Sequence, residues 1–110
     1  MLIDIRTEND ILIVSVDGRI DTLSAPDFQT RMEELMDREE PRVILDLEKL
    51  QYVSSAGLRA MLVVAKKAAS SGKRLSLCSL QEMVRKVFDI SGFTGMIPVY
   101  DCLKDAADRA

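Results

Sequence analysis

The residues best suited to chemistry in this chain are two adjacent serines, Ser54 and Ser55, followed by Ala56 and Gly57. The apolar pattern places them where a buried segment ends and a helix begins. The first turn of a helix has unpaired backbone N–H groups and the positive end of the helix dipole, so it favours a side-chain oxygen or a phosphate. Two interpretations follow: one serine only caps the helix, or one serine is exposed for modification. We expect Ala56 and Gly57 to leave the approach to the helix open.

Two acidic residues form a second candidate group. Asp21 follows one predicted strand and Asp46 lies near the end of another. Open α/β sheets place their sites at the carboxyl ends of strands, so both side chains could approach the same edge. A role in a turn is as good an explanation for Asp21, and a structural hydrogen bond is the better one for Asp46. The two do not form a convincing general acid and base.

The residues for most other chemistry are missing. The chain has no histidine, which excludes Ser-His-Asp and Cys-His catalysis and the common zinc sites. Gly72 and Lys73 resemble the end of a phosphate loop, but Lys67 stands where that loop needs glycine, and no Gly-x-Gly-x-x-Gly motif occurs. Two cysteines, Cys78 and Cys102, are too few for a disulfide scaffold. We therefore expect a binding module that is not an enzyme and uses no metal or cofactor.

Charge and hydropathy restrict the partner. The 110 residues carry a net charge of −3, and no basic run is longer than a pair. A face that binds nucleic acid or an anionic membrane needs concentrated basic residues, so we expect neither partner and favour a protein. No apolar run reaches the roughly 18 residues that span a bilayer, and the amino terminus lacks the pattern of a signal peptide. We expect a cytoplasmic protein without membrane insertion.

The elements that must position the serines follow from hydrophobic periodicity. Ile3 and Ile5 alternate with polar residues, and residues 11–16 are almost all apolar, which predicts an antiparallel hairpin. Further strands are predicted at residues 43–47, 75–78 and 96–100, with a short apolar run at Tyr52 and Val53. Four helices are predicted after Ser24, after Ser54, after Ser79 and after Asp101. The pattern predicts one α/β domain over residues 1–110, with a mixed, mostly parallel sheet and an N-terminal antiparallel hairpin strand.

Finer expectations concern caps and buried faces. Ser24 and Ser79 are predicted to cap their helices, the latter in a capping box with Glu82. Apolar spacing predicts that the helix after Ser54 turns five residues toward the sheet: Leu58, Met61, Leu62, Ala65 and Ala69. The same argument for the next helix predicts an inward face of Leu80, Met83, Val84, Val87 and Phe88.

Several motifs of this chain resemble the STAS domains, and among them the free-standing bacterial anti-sigma-factor antagonists. The similarity covers almost the whole chain, and its motifs are Gly18-Arg19-Ile20-Asp21, Val43-Ile44-Leu45-Asp46-Leu47, Tyr52-Val53-Ser54-Ser55-Ala56-Gly57-Leu58-Arg59 and Val87-Phe88-Asp89-Ile90-Ser91-Gly92-Phe93. The serine segment is the most specific motif.

The resemblance implies roles for particular residues. In this family the phosphorylated serine precedes the motif glycine by two positions, which implies Ser55. Many members have aspartate immediately before it, where this chain has Ser54, so Ser54 is the alternative acceptor. Asp21 matches an acidic residue used in kinase contact or phosphorylation. The implied partner-binding residues are Asp21, Ser54, Ser55, Ala56, Gly57, Leu58 and Arg59.

The resemblance also implies partner switching. The unphosphorylated antagonist binds an anti-sigma factor that is also a serine kinase with an ATP-binding domain of the histidine-kinase-like type, and a sigma factor is released. Phosphorylation dissolves this complex, and a metal-dependent PP2C-type phosphatase restores the serine. The alternative function is a STAS regulatory subunit of a transporter or of a larger signalling assembly.

Overall fold

The computed structural model describes residues 1–109 as alternating strands and helices. The strands are β1 (Leu2–Glu8), β2 (Ile11–Ile20), β3 (Arg42–Asp46), β4 (Leu50–Val53), β5 (Arg74–Cys78) and β6 (Val99–Tyr100). The helices are α1 (Ala25–Leu35), α2 (Ser55–Ser70), α3 (Glu82–Ile90) and α4 (Leu103–Arg109), with a 3-10 turn at Phe93–Gly95. The predicted α/β class with four helices is confirmed.

The sheet has the order β1-β2-β3-β5-β6, and β4 pairs with β2 outside this series. β1 runs antiparallel to β2, and every other pair is parallel. The prediction of a mostly parallel sheet with an N-terminal antiparallel strand is therefore confirmed. Parallel neighbours end at the same edge, so the loops that follow β2 and β4 lie together.

β2 is longer than the sequence predicts, because it does not end near Gly18 but continues to Ile20. Gly18 has a φ of 102°, which only glycine adopts without strain, and the register shifts between Gly18 and Arg19. Residues 11–15 of β2 pair with β3, whereas Gly18 and the two residues after it pair with β4, and Ile20 lies opposite Val53. The bulge thus brings the ends of β2 and β4 side by side.

The core lies on both faces of the sheet, in unequal parts. The larger cluster contains side chains from α1, α2 and α3, including Phe28, Met32 and Phe88, which are fully buried. The smaller cluster lies under α4 and consists of Ile11, Ile13, Ile44, Cys78 and Ala106. Three helices therefore cover one face, and α4 covers part of the other.

The predicted inward face of α2 is confirmed at Met61, but the face as a whole is rotated from the predicted one. The buried residues of α2 are Gly57, Ala60, Met61, Val64 and Ala68, whereas Leu58, Leu62 and Ala65 are half-buried and Ala69 is exposed. The helical period is the expected one, but the stripe of smaller side chains faces the sheet. Small side chains allow the helix axis to approach the strands closely, so burial follows shape as well as hydropathy here.

One predicted helix cap is wrong, and a second is confirmed in position but not in its hydrogen bond. Ser79 has a φ of 62°, and Gln81 is the N-cap residue of α3, without a side-chain capping bond. Met83, predicted to face inward, is 69% exposed. Ser24 is the N-cap residue of α1, as predicted, but its hydroxyl makes no capping bond because it bonds to the turn that precedes the helix.

Candidate functional site

The candidate site begins where β2 and β4 end side by side. The backbone N–H of Ser54 donates to the carbonyl oxygen of Ile20, with an N···O distance of 2.9 Å. Asp21 follows Ile20 directly, and Ser55 follows Ser54. This one hydrogen bond therefore fixes the Asp21 turn against the start of α2, in accord with the expectation that sites lie at the carboxyl ends of strands.

Ser54 is the N-cap residue of α2. Its backbone is extended, with φ −86° and ψ 175°, and its Oγ accepts a hydrogen bond from the N–H of Gly57 at 3.1 Å. Its carbonyl oxygen accepts the first helical bond, from the N–H of Leu58 at 2.8 Å. The half-buried Ser54 side chain thus satisfies one of the free N–H groups of the first turn.

Ser55 is the first residue of α2, and its side chain is exposed. No residue in the described part of the chain hydrogen-bonds its hydroxyl. The side chain is at the positive end of the helix dipole, where an added negative charge is favoured. Of the two adjacent serines, Ser54 therefore has an internal bonding role and Ser55 is open to another molecule.

Gly57 is buried, in contrast to the expectation that it keeps the approach to the helix open. A Cβ atom at this position would lie 2.8 Å from the carbonyl oxygen of Ile20 and 2.8 Å from Cγ2 of Val53. The glycine is needed because α2 packs directly on β2 and β4. Gly57 thus positions the neighbouring serines and offers no exposed side-chain surface of its own.

Asp21 forms the turn between β2 and α1. Its Oδ1 accepts hydrogen bonds from the N–H groups of Leu23 and Ser24, both at 3.0 Å, and is 3.1 Å from Ser24 Oγ. The N–H of Asp21 in turn donates to Ser24 Oγ at 2.9 Å. The bond from the Ser24 N–H is the main cause that lowers the pKa of the Asp21 carboxyl, and those from the Ser24 hydroxyl and the Leu23 N–H lower it further. The carboxylate is therefore anionic and the turn is well ordered.

Two surface features beside these residues were not predicted from sequence. Leu23, at the apex of the Asp21 turn, is 90% exposed. The guanidinium of Arg19 lies 4.3 Å from the centre of the Tyr52 ring, so that the ends of β2 and β4 also meet through a cation–π contact. The contact could not be predicted without the bulge at Gly18, because only the shifted register places Arg19 opposite Tyr52.

A shallow groove of about 310 Å³ lies between α1 and α2. Its lining includes Ala56 and Arg59 from α2, Ala25 and Pro26 from the start of α1, and Thr22 from the turn before α1. Arg59 is exposed, and Ala56 is half-buried. Leu58 is half-buried and packs against the main core. Of the sequence-predicted site residues, Ala56 and Arg59 thus line a concave surface beside the serines.

Asp46 lies apart from Asp21. Its Oδ1 accepts a hydrogen bond from the N–H of Glu48 at 3.2 Å, which is the structural role that the sequence favours. It lines a polar cavity of about 450 Å³ together with Asp4, Ser15 and Asp17, and Asp21 does not line that cavity. The structure does not join the two carboxylates in one site.

Residues 1–109 contain no candidate for either of two other kinds of site. No group of three or more Asp, Glu or Cys side chains there is arranged to hold a metal ion. None of the described helices is both long and apolar enough to cross a membrane.

Comparison with known proteins gives consistent matches over nearly the whole chain. The family model described as the STAS domain matches residues 3–106. The sequence is 40% identical over 97 residues to BtrV of Bordetella bronchiseptica, a protein that bears the name of an anti-sigma factor antagonist; the match covers 88% of this chain and 84% of BtrV.

Solved structures show the same fold. The crystal structure of an anti-sigma factor antagonist from Mycobacterium paratuberculosis matches with a TM-score of 0.88 at 20% identity, over 97% of this chain and 91% of that one. The Bacillus antagonist SpoIIAA in its unphosphorylated form matches with a TM-score of 0.82 at 18% identity, over 98% and 95% of the two chains. Its phosphorylated form matches with a TM-score of 0.74 at 17% identity, over 98% of each chain.

Proposed function

Because the chain belongs to the STAS domain family, we propose that it is an anti-sigma-factor antagonist whose binding is switched by phosphorylation of Ser55. In its unphosphorylated form it binds an anti-sigma factor that is also a serine kinase, and a sigma factor is set free. Phosphorylation ends this binding, and a PP2C-type phosphatase restores it. The protein acts in the cytoplasm as a single domain over residues 1–110, as a regulatory binding module and not as an enzyme.

The observation that carries the proposal is the difference between the two serines. The Oγ of Ser54 is engaged in capping α2, whereas the hydroxyl of Ser55 is exposed at the first position of the helix. A kinase must reach the hydroxyl oxygen, align it with the γ-phosphorus of ATP and remove its proton. Ser55 offers that access without the loss of a bond that holds the helix, so it is our assigned acceptor, with Ser54 as the alternative.

The fold is expected to survive the modification. A phosphate adds about −1.5 to −2 charges and three acceptor oxygens. At Ser55 these oxygens would lie at the amino end of α2, where the dipole favours negative charge. SpoIIAA, which has this fold, has been solved in both phosphorylated and unphosphorylated forms. The switch we propose therefore acts on the surface of the domain and not on its stability.

Loss of binding follows from the position of the phosphate within the partner surface. A change from about 99% bound to about 99% free needs roughly 5.5 kcal/mol. A doubly charged group enclosed in an interface loses its hydration, and the anionic Asp21 carboxylate on the neighbouring turn adds repulsion. One uncompensated charge in an interface costs about 3–5 kcal/mol, and the second charge of the phosphate brings the cost into the required range.

The same surface has features that suit a protein partner. Leu23 projects from the rigid Asp21 turn, and Tyr52 is 41% exposed beside Arg19. Tyrosine and arginine are enriched among interface hot spots, and the exposed leucine adds apolar area beside them. The groove between α1 and α2 supplies the concave part, with Arg59 at its wall. We place the anti-sigma factor over this groove and the Ser55 hydroxyl.

The test is phosphate transfer from the serine kinase encoded nearest to the gene. The wild-type protein, Ser55→Ala and Ser54→Ala are each incubated with that kinase and ATP, and phosphate is mapped by mass spectrometry. We expect phosphate on Ser55 in the wild type and in Ser54→Ala, and none in Ser55→Ala. Phosphate that persists on Ser54 in the Ser55→Ala variant would contradict the assigned residue. The absence of phosphate with every cognate kinase would contradict the switch.

A further inference from the structure

β1 is an edge strand with an open outer side. It pairs with β2 on one side, and it ends the sheet on the other. Six of its seven residues are exposed, among them Leu2 at 71% and Ile5 at 39%. An exposed edge presents unpaired N–H and C=O groups that can pair with another strand.

We propose that β1 is a dimer interface, in which it pairs antiparallel with β1 of a second copy of this chain. A two-fold axis perpendicular to the sheet passes through the Ile5 pair and joins the two sheets into one continuous sheet. The interface is isologous, because each copy contributes the same strand.

The register of this pairing follows from the alternation of side chains. A two-fold axis perpendicular to the sheet keeps each side chain on its own face, so only residues of like parity can face each other. Centring on Ile5 pairs all seven residues of the strand. Centring on Asp4 or Arg6 leaves residues unpaired and places like charges directly opposite each other. The centre at Ile5 is therefore favoured by both length and charge.

The two central charges of β1 are complementary in this register, and the third, Glu8, lies opposite Leu2. Asp4 of each copy faces Arg6 of the other, which gives two equivalent ion pairs on the same face of the sheet. Neither residue has an ion-pair partner within the described part of its own chain. On the opposite face Ile5 meets Ile5 of the second copy, and Ile3 lies opposite Thr7. Opposite charges and β-branched residues in direct cross-strand pairs stabilise antiparallel sheets, and like charges destabilise them.

The dimer is expected to be weak and dependent on concentration. Two seven-residue strands bury much less surface than the interfaces of stable complexes. The half-buried Ile3 stays in the core of its own chain, so pairing needs no rearrangement of the fold. The interface lies on β1, whereas Ser55 lies on α2. Dimerisation therefore does not depend on the proposed phosphorylation, and the two can be tested separately.

The test exchanges the two charges. Sedimentation equilibrium from about 10 µM to about 1 mM covers the range of a weak association. Asp4→Arg and Arg6→Asp each turn two attractive pairs into two repulsive ones, and we expect each to raise the dimer dissociation constant about tenfold or more. The double variant, Asp4→Arg with Arg6→Asp, restores opposite charges in the same register. We expect it to dimerise within about threefold of the wild type.

The matched control is Glu34→Arg, which makes the same charge change on the exposed surface of α1 and should leave dimerisation unchanged. Far-UV circular dichroism establishes that each variant is folded. A wild-type protein that stays monomeric at 1 mM would overturn the proposal, as would a dimer that both single reversals leave unchanged. Failure of the double variant to recover dimerisation would overturn the Ile5-centred register. Pairing of β1 only with a strand of another protein would likewise show that the second copy is not the occupant.

Discussion

Ser54 and Ser55 differ in function because the chain changes from strand to helix between them. Ser54 still has the extended backbone of β4, which directs its Oγ back to the Gly57 N–H; Ser55 is already helical. We expect Ser54→Ala to lower the free energy of unfolding by about 1 kcal/mol through the lost cap. Ser55→Ala should change it by less than about 0.5 kcal/mol. Urea unfolding of both variants measures this, and equal losses would contradict the assigned cap.

A negative charge at Ser55 should weaken binding to the anti-sigma factor. We expect Ser55→Glu to raise the dissociation constant at least about tenfold, since one carboxylate supplies part of the charge of a phosphate. Ser55→Ala should bind like the wild type. Isothermal titration calorimetry with the purified kinase measures both. Ser71→Glu, at the opposite end of α2, is the control for an added charge, and equal affinities of Ser55→Ala and Ser55→Glu would contradict the switch.

The Asp21 turn should make stability depend on acid pH. The hydrogen bond from the Ser24 N–H, with those from the Ser24 hydroxyl and the Leu23 N–H, lowers the pKa of Asp21 from 3.8. A carboxyl whose pKa falls on folding contributes stability at pH values above 3.8, and this contribution is lost as the pH falls through the lowered value. The unfolding free energy of Asp21→Asn should therefore fall less than that of the wild type when urea titrations are moved from pH 6 to about pH 3. A parallel acid dependence in the two proteins would contradict this role.

The sequence could locate these residues but could not assign the roles of the two serines. Both Ser54 and Ser55 suit an N-cap, and the choice depends on the backbone angles at the strand-to-helix junction. The resemblance implied Ser55 as acceptor, and the capping geometry of Ser54 supports this proposal without testing it. The exposure of Leu23 was not predicted. The sequence Thr22-Leu23-Ser24 does not reveal that the Asp21 carboxylate accepts a hydrogen bond from the Leu23 N–H and so forms a turn with Leu23 at its apex.

At the scale of elements, the close packing of α2 on the sheet depends on glycine at position 57, which has no side chain. An added Cβ at Gly57 would meet the backbone oxygen of Ile20 at 2.8 Å, and a backbone atom cannot move aside as a flexible side chain can. We expect Gly57→Ala to lower the free energy of unfolding by about 1–3 kcal/mol through overpacking. Gly95→Ala, where a Cβ meets nothing within 4 Å, is the control. Thermal unfolding compares the two variants, and a Gly57→Ala variant as stable as Gly95→Ala would contradict the close packing.

Element types were predictable, and element boundaries and rotations were less so. Apolar runs and helical periods predict the four helices and five of the six strands in the right order, because burial imposes those periods. β4 was expected only as a short apolar run at Tyr52 and Val53, and its first residues, Leu50 and Gln51, were assigned to a polar link. The last residues of β2 were assigned to a loop, since Gly18 reads as a strand end until the bulge and the pairing with β4 are known. The rotation of α2 was missed because hydropathy favours Leu58 and Leu62, whereas close packing favours Gly57 and Ala60.

At the scale of the whole molecule, the two faces of the sheet are covered by different numbers of helices, three on one face and α4 on the other. The small cluster depends on α4, and Arg42 ties the end of that helix to β3: its Nη2 donates to the carbonyl oxygen of Ala107 at 2.7 Å. We expect Arg42→Ala to raise amide hydrogen exchange in α4 about tenfold or more while α2 is unchanged, because one charged hydrogen bond contributes roughly 1.5–3 kcal/mol to local stability. The neighbouring, exposed Arg74 gives the control Arg74→Ala. Unchanged exchange in α4 would contradict the role of Arg42.

The central position of β2 also bears on how the protein is made. Its first four residues are buried in the finished fold, yet of the strands that pair with it only β1 is translated before it. About thirty more residues must be translated before β3 and β4 cover its other edge, which takes a few seconds at about 5–20 residues per second. A lone hairpin is marginally stable in water, so the nascent chain presents an uncovered apolar strand throughout that interval. Newly made β2 is thus the segment of this chain where chaperones have most reason to bind.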